Sequence, residues 1–237
     1  MQISATVTPA APTGSDPRAR ALCRAMAAIH RRGWCDGTGG NFSVVHERSP
    51  ELRLLMAPSG VDKGRVRPSQ LILVNEDGTV LSGQGKVSAE MALHRAIVLT
   101  TGAGAVLHTH SQAATLLSRQ ALDSAHTAQP GRAAATGGSG HLEIAGLEML
   151  KGLEGIRSHD CQIRIPVLAN DQDLERLSAA SEPHLQAAPH GLLIAGHGLY
   201  AWGHDLEQAV RHLEILEFLL EQSWRQRLWE AISGGGR

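Results

Sequence analysis

Apolar residues recur along this chain first at helical and then at strand spacing. Leu22, Met26 and Ile29 share one helical face behind Asp16, an N-cap residue, and Pro17, which suits a first helical position, with Gly33 as the stop. The segments "NFSVVH" and "LRLLMAP" are apolar enough for strands, and "LILVNEDGTVLSG" splits into two short runs around Asp77-Gly78, a hairpin dipeptide. Ser88 is positioned to cap a helix through "AEMALHRAIV"; Gly102 and Gly104 then break the chain, and "AVLHTH" resumes as a buried strand. "SQAATLLSR" reads as helical, whereas "HTAQPGRAAATGGSGH" has the Gly, Ala and Ser content of a flexible loop. A helical piece "LEMLKGL", a strand "QIRIPVL", a helix around "DLERLSAAS" and a glycine-centred strand pair "GLLIAGHGLYAWG" follow. The last element is a long amphipathic helix from Asp205, with Leu206, Val210, Leu213, Leu216, Phe218 and Leu220 among its apolar positions. This pattern predicts one α/β domain over residues 16–237, a three-layer α/β/α arrangement whose central, mostly antiparallel sheet is flanked by helices, preceded by a loose tail at 1–15.

Bulk properties narrow the partners. With 237 residues the chain can bury a core without disulfide staples, and a net charge of −1 without any Lys/Arg run gives no footprint for nucleic acid or an anionic membrane. No apolar run has the length of a membrane span, and the first residues lack the basic and apolar regions of a signal peptide. Cys23, Cys35 and Cys161 are odd in number and widely spaced, which suits a reducing cytoplasm. Thirteen histidines beside two Phe and one Tyr direct attention to metal binding.

In a strand, residues two apart face the same side, so His108 and His110 present two imidazoles together. A lone HxH also occurs in strands without any metal. The candidate third ligand is His197, between Gly196 and Gly198, where the backbone can turn tightly and approach another element. His94, four residues after Glu90, imitates a ligand pair but reads as a helix-surface histidine; His30, His126, His141, His159, His184, His190, His204 and His212 read as ordinary surface or loop residues. Three segments have the chemistry of anion loops: Gly37, Thr38, Gly39, Gly40 and Asn41; Ser59, Gly60 and Lys63; and Lys86 with Ser88 at a helix start. Each taken alone also fits a turn that merely needs glycine, and the nucleotide pattern GxxxxGK[ST] is absent. Glu90 and Glu148 are either solvated helix glutamates or, next to a metal and a phosphate, proton-transfer groups.

The ordered set "GTGGNFS", "APSGVDKG", "KVSAE", "LHTHS", "LEMLKG", "IPVLANDQD" and "AGHGLYAWG" resembles the class II aldolase/adducin family from about Arg20 to about Leu220. The resemblance implies one zinc ion per subunit on His108, His110 and His197. It also implies phosphate contacts at Gly39, Asn41, Ser59, Gly60 and Ser88, with Lys86 beside them. In the aldolase branch the acid/base falls on Glu90, and in the dehydratase branch on Glu148; this chain keeps both. "EMLKG" and "LYAWG" are more similar to the dehydratase branch, which implies zinc-dependent loss of water from a small phosphorylated sugar with Glu148 as the base. A sugar-phosphate aldolase or epimerase is the alternative, and a non-catalytic adducin-like role sits poorly with the complete ligand set. Two departures from the family pattern are Ser88-Ala89 in place of two serines and the insertion at residues 131–140. The resemblance further implies a homotetramer.

Overall fold

A computed structural model describes residues 15–128 and 138–234. Helices α1 (Pro17–Arg31), α2 (Met91–Thr101), α3 (Gln112–Ala128), α4 (Leu174–Leu185) and α5 (Leu206–Gly234) surround nine strands. These are β1 (Asn41–Glu47), β2 (Arg53–Met56), β3 (Ile72–Asn75), β4 (Val80–Ser82), β5 (Ala105–Thr109), β6 (Ser139–Ala145), β7 (Gln162–Leu168), β8 (Gly191–Ile194) and β9 (Gly198–Gly203). They form one sheet in the order β4-β3-β2-β1-β5-β9-β8-β7-β6, antiparallel at every pairing except β7 with β8. Among the described residues no helix is long and apolar enough to cross a membrane.

Strand alternation divides the core in two. Leu107, Leu199 and Ala201 face a cluster built with Leu22 and Met26 of α1, Leu117 of α3 and Leu213 and Leu216 of α5. Val106, Tyr200 and Trp202 face the other side, against Leu93 and Ile97 of α2 and Leu177 and Leu185 of α4. The three-layer arrangement expected from the sequence is therefore present, and β5, with β1 and β9 as neighbours, runs through the middle of the sheet.

Local chemistry explains the element ends. The Asp16 carboxylate accepts from the Arg18 amide at 2.8 Å with Pro17 in the first turn, as the cap signal required. The β3–β4 hairpin closes at Asp77-Gly78, Gly78 holding φ at 79°. Two expectations need correction. Helix α2 begins at Met91 with Glu90 at the cap position, and Ser88 contributes instead an Oγ that accepts from the Glu90 amide at 3.3 Å. The end of the Gly/Ser-rich run is not loop but strand β6, in which Gly140, Leu142 and Ile144 face inward between exposed Ser139, His141, Glu143 and Ala145. That alternation was hidden by the small residues preceding it. Most of the expected tail and the first part of the 131–140 insertion lie outside the described residues.

Candidate active site

The sheet's centre gathers the three candidate ligands. His108 lies near the end of β5, fully buried, and its Nδ1 is 3.0 Å from the Leu199 carbonyl on β9. Donation of the Nδ1 proton to that carbonyl leaves the Nε2 lone pair directed into the site. His110 stands one residue beyond the strand, its amide donating to the Trp34 carbonyl at 2.7 Å. His197 occupies the turn between β8 and β9. There Gly196 takes φ 67°, and a Cβ on Gly198 would collide with the Thr109 carbonyl oxygen, so the glycines around His197 answer the needs foreseen for them. A Cβ on Gly40 would likewise meet the His108 carbonyl oxygen at 2.7 Å, so the first glycine loop also closes on β5.

The His110 and His197 Nε2 atoms lie 2.8 and 3.3 Å from His108 Nε2, and the three ring planes cross at 63–86°. Three imidazole lone pairs so placed repel one another unless a cation sits among them. A tetrahedral ion with metal–nitrogen bonds of about 2.0–2.1 Å separates its ligands by about 3.3 Å, so the donor set fits a zinc-type metal. Burial lowers the imidazole pKa of His108 and His110, keeping both neutral as metal ligands must be.

Glu90 closes the fourth side. Its Oε1 is 3.0 Å from His197 Nε2, and its Oε2 is 3.7 Å from His108 Nε2 and accepts a hydrogen bond from the Asn41 amide. Burial acts to raise its pKa, but the neighbouring His197 and His108 imidazoles and the hydrogen bond from the Asn41 amide outweigh this and hold it well below the usual carboxylate range. The Asn41 carbonyl oxygen in turn accepts from His94 Nε2, and His94 Nδ1 accepts from Ser43 Oγ at 2.7 Å. His94 is thus wholly buried behind the site, with its pKa lowered to about 4 by burial, and is not the helix-surface residue its type suggested. Its spacing of four residues from Glu90 was the available signal, because it sets both side chains on one side of the α2 start. Tyr200, opposite His108 in the β5–β9 register, stacks on that imidazole at 3.9 Å and 13°. Sequence reasoning missed it.

The loops expected to hold a phosphate are tied together beside the ligands. Lys63 is buried, and its Nζ donates to the carbonyls of Thr38 and Val61, each at 3.0 Å, joining the Gly37–Asn41 and Ser59–Gly64 segments. The Ser59 amide donates to the Lys86 carbonyl at 2.7 Å, adding the third loop. Gly39 packs against the His110 ring, while Ser59, Gly60 and Lys86 remain exposed and Ser88 is half-buried. Asn41 differs from the others, since both ends of its amide are engaged by Glu90 and His94. Glu148 is not brought to the imidazoles within the single chain: it opens a 3₁₀ turn, is 71% exposed, and pairs with Lys151 at 2.6 Å and His159 at 3.3 Å. A cleft of about 700 Å³ nevertheless runs between Ser111, next to His110, and Met149, next to Glu148, with Trp34, Phe218 and Trp224 on its walls. His190 and His212, read from the sequence as ordinary, are half-buried and buried respectively.

Residues 20–224 match the family described as Class II Aldolase and Adducin N-terminal domain. The chain belongs to the class II aldolase and adducin family. Among class II aldolase-like proteins, it is 37% identical over 196 residues to the methylthioribulose-1-phosphate dehydratase of Sorangium cellulosum, covering 81% of this chain and 84% of the relative. To the protein of the same name from Granulibacter bethesdensis it is 42% identical over 191 residues, covering 80% and 82%. The L-fuculose-1-phosphate aldolase of Thermus thermophilus shares the fold with a TM-score of 0.66 and 25% identity, covering 90% of this chain and 97% of that one.

Proposed function

We propose that this chain is a zinc-dependent hydro-lyase that converts 5-methylthioribulose-1-phosphate to 2,3-diketo-5-methylthiopentyl-1-phosphate, a step of methionine salvage in the cytoplasm. The observation that carries this reading is the 37–42% identity to methylthioribulose-1-phosphate dehydratases over about four-fifths of both chains. The converged imidazoles of His108, His110 and His197 support the metal. Zinc on those three nitrogens would supply a Lewis acid for the oxygens at C2 and C3 of the sugar.

The chain's own residues account for binding and proton movement. The backbone amides of the Gly37–Asn41 and Ser59–Gly60 loops and the Ser88 hydroxyl bind the phosphate, with Lys86 beside them, and fix the carbons that react. Glu148 removes the C3 proton and delivers it to the C4 hydroxyl, which leaves as water; the remaining enol then gains a proton on carbon to give the diketone. Glu90, held ionised by Asn41 and His197, orients the ligand histidines and stabilises positive charge beside them. The cleft between Ser111 and Met149 suits the methylthio end, with Trp34, Phe218 and Trp224 as apolar walls. Exposed Phe218, Leu228, Trp229 and Ile232 on α5 are consistent with assembly into a homotetramer.

One observation favours an aldolase instead, since Glu90 and not Glu148 touches the imidazole cluster in the single chain. Product analysis with the methylthio sugar phosphate separates the two. A diketone that has lost the C3 hydrogen and gained one solvent hydrogen at C4, its formation abolished in Glu148→Gln while metal content is kept, is the expected result. A methylthio-bearing aldehyde as main product, abolished in Glu90→Gln and spared in Glu148→Gln, would establish the aldolase.

A further inference from the structure

A second group of metal-binding side chains lies at the other end of the strands that carry His197. His190 immediately precedes β8, where Gly191 pairs with Ala201, whereas His197 follows Ile194, which pairs with Gly198. At about 3.3 Å per residue the two ends of β9 stand roughly 15 Å apart. His212 projects from α5 with its Nδ1 2.7 Å from the Trp202 carbonyl, and Glu154 arrives from the loop after the 148–152 turn. One ligand atom from each of Glu154, His190 and His212 lies within 4.8 Å of the other two.

We propose that Glu154, His190 and His212 form a second site for a divalent metal of the zinc, nickel and copper class, separate from the three-histidine centre. Two imidazoles and a carboxylate are the donors such ions take, with further positions left to water. Donation from His212 Nδ1 to the Trp202 carbonyl fixes the tautomer and leaves Nε2 as the acceptor; its present partner is the Glu154 amide at a long 3.4 Å, readily displaced. Gln208 Nε2 holds the Glu154 carboxylate at 3.0 Å, and His190 Nε2 is 3.9 Å from it. The backbone at His190 is itself unusual: its φ of 57° is the only positive value on a non-glycine among the described residues. Such a conformation is sparsely populated outside glycine and persists where surrounding structure imposes it. Solvent reaches the cluster from two clefts, one of about 350 Å³ past His204 and Asp205 and one of about 230 Å³ past Ala188 and Trp202, so an ion has an entry path.

The ring geometry sets the strength of this site. His190 and His212 are stacked at 4.0 Å with their planes 22° apart, so their lone pairs run side by side, unlike the crossed rings of the first centre. Coordination requires one ring to turn, and the His190 side chain, 28% exposed, is the freer of the two. The second site therefore binds more weakly than the first. Once bound, the ion joins the Glu154 loop to β8 and α5 and raises thermal stability.

The test is a titration of the full-length protein, isolated with its first metal, by zinc ions against a chromophoric chelator and by cobalt(II) followed in the visible spectrum. A second, weaker equivalent per chain accompanied by a rise in Tm is expected. His190→Asn, which tolerates the same backbone angle, and His212→Gln should lose the second equivalent and its Tm shift while keeping the first. His197→Ala should do the reverse. A wild type that takes one equivalent only, or a second equivalent that survives His190→Asn, would overturn the proposal; because His190 is partly exposed, that variant decides even if His212→Gln fails to fold.

Discussion

Glu217 projects from α5 toward the back of β5, where it is 2% exposed and accepts a 2.5 Å hydrogen bond from Thr109, the residue between the two candidate ligands His108 and His110. Burial raises its pKa from 4.5 to about 7, against hydrogen bonds from Ser111 and Thr109 that lower it. In the unfolded chain this carboxyl gives up its proton near 4.5, whereas in the folded protein it keeps it until about 7. Between those values the native state binds more protons, so stability falls as pH rises through the window and the full penalty applies above it. At about 1.36 kcal/mol per pH unit, the penalty is about 1 kcal/mol at pH 5 and about 3 kcal/mol at pH 8. Glu217→Gln keeps an oxygen for Thr109 and cannot ionise, so its stability relative to wild type should improve by about 2.5 kcal/mol between pH 5 and pH 8. Urea unfolding of both proteins across that range, at one chain concentration so that assembly contributes equally, measures this directly. A difference between the two that does not change with pH, or that moves in favour of wild type as pH rises, would refute the reasoning.

Three further outcomes are expected. Tyr200 is the single tyrosine of the chain, and burial followed by the Glu90 charge pushes its phenol pKa well above 10; phenolate absorbance should therefore stay absent at pH 10 until the protein unfolds, and an ordinary titration in the folded state would contradict its placement. Lys63→Met leaves the Thr38 and Val61 carbonyls without their donor, which should cost about 1–3 kcal/mol and raise KM for the phosphorylated substrate; an unchanged KM would separate Lys63 from the phosphate loops. Asn41→Ala frees the Glu90 carboxylate from its support and should lower activity or metal affinity about 10–100-fold, whereas wild-type values for both would show that Glu90 needs no such support.

What the sequence disclosed was whatever rests on short-range spacing. The strand period placed His108 and His110 together, the glycines around His197 marked a close backbone approach, and Asp16-Pro17 and Asp77-Gly78 marked their elements correctly. What it hid depends on which strands become neighbours. His94 has the polarity of a surface residue, and only the β1–β5 pairing, which sets Asn41 opposite His108, explains why it is buried in a chain of hydrogen bonds reaching Glu90. Tyr200 acquires its role from the β5–β9 register, and His190 and His212 meet only because β8 and α5 converge. The β6 strand escaped notice because glycine and serine, which weaken any strand signal, precede its two large inward residues. Glu148 illustrates the converse: its motif is explicit in the sequence, yet within one chain its partners are Lys151 and His159.

The separation of 89 residues between His108 and His197 has a consequence for biosynthesis. A chain emerging from the ribosome offers only two imidazoles at β5 until the β8–β9 turn has been made and β9 has docked. The carbonyl that sets the His108 tautomer belongs to Leu199 and is equally late. Before that moment neither the number of donors nor their protonation suits tight binding, so an early ion would be held loosely and lost. On the proposed three-histidine centre, loading would follow the closing of the sheet's centre, and any event that lifts β9 from β5 would release the ion along with it. Metal retention would then be a sensitive measure of whether newly made molecules have completed their fold.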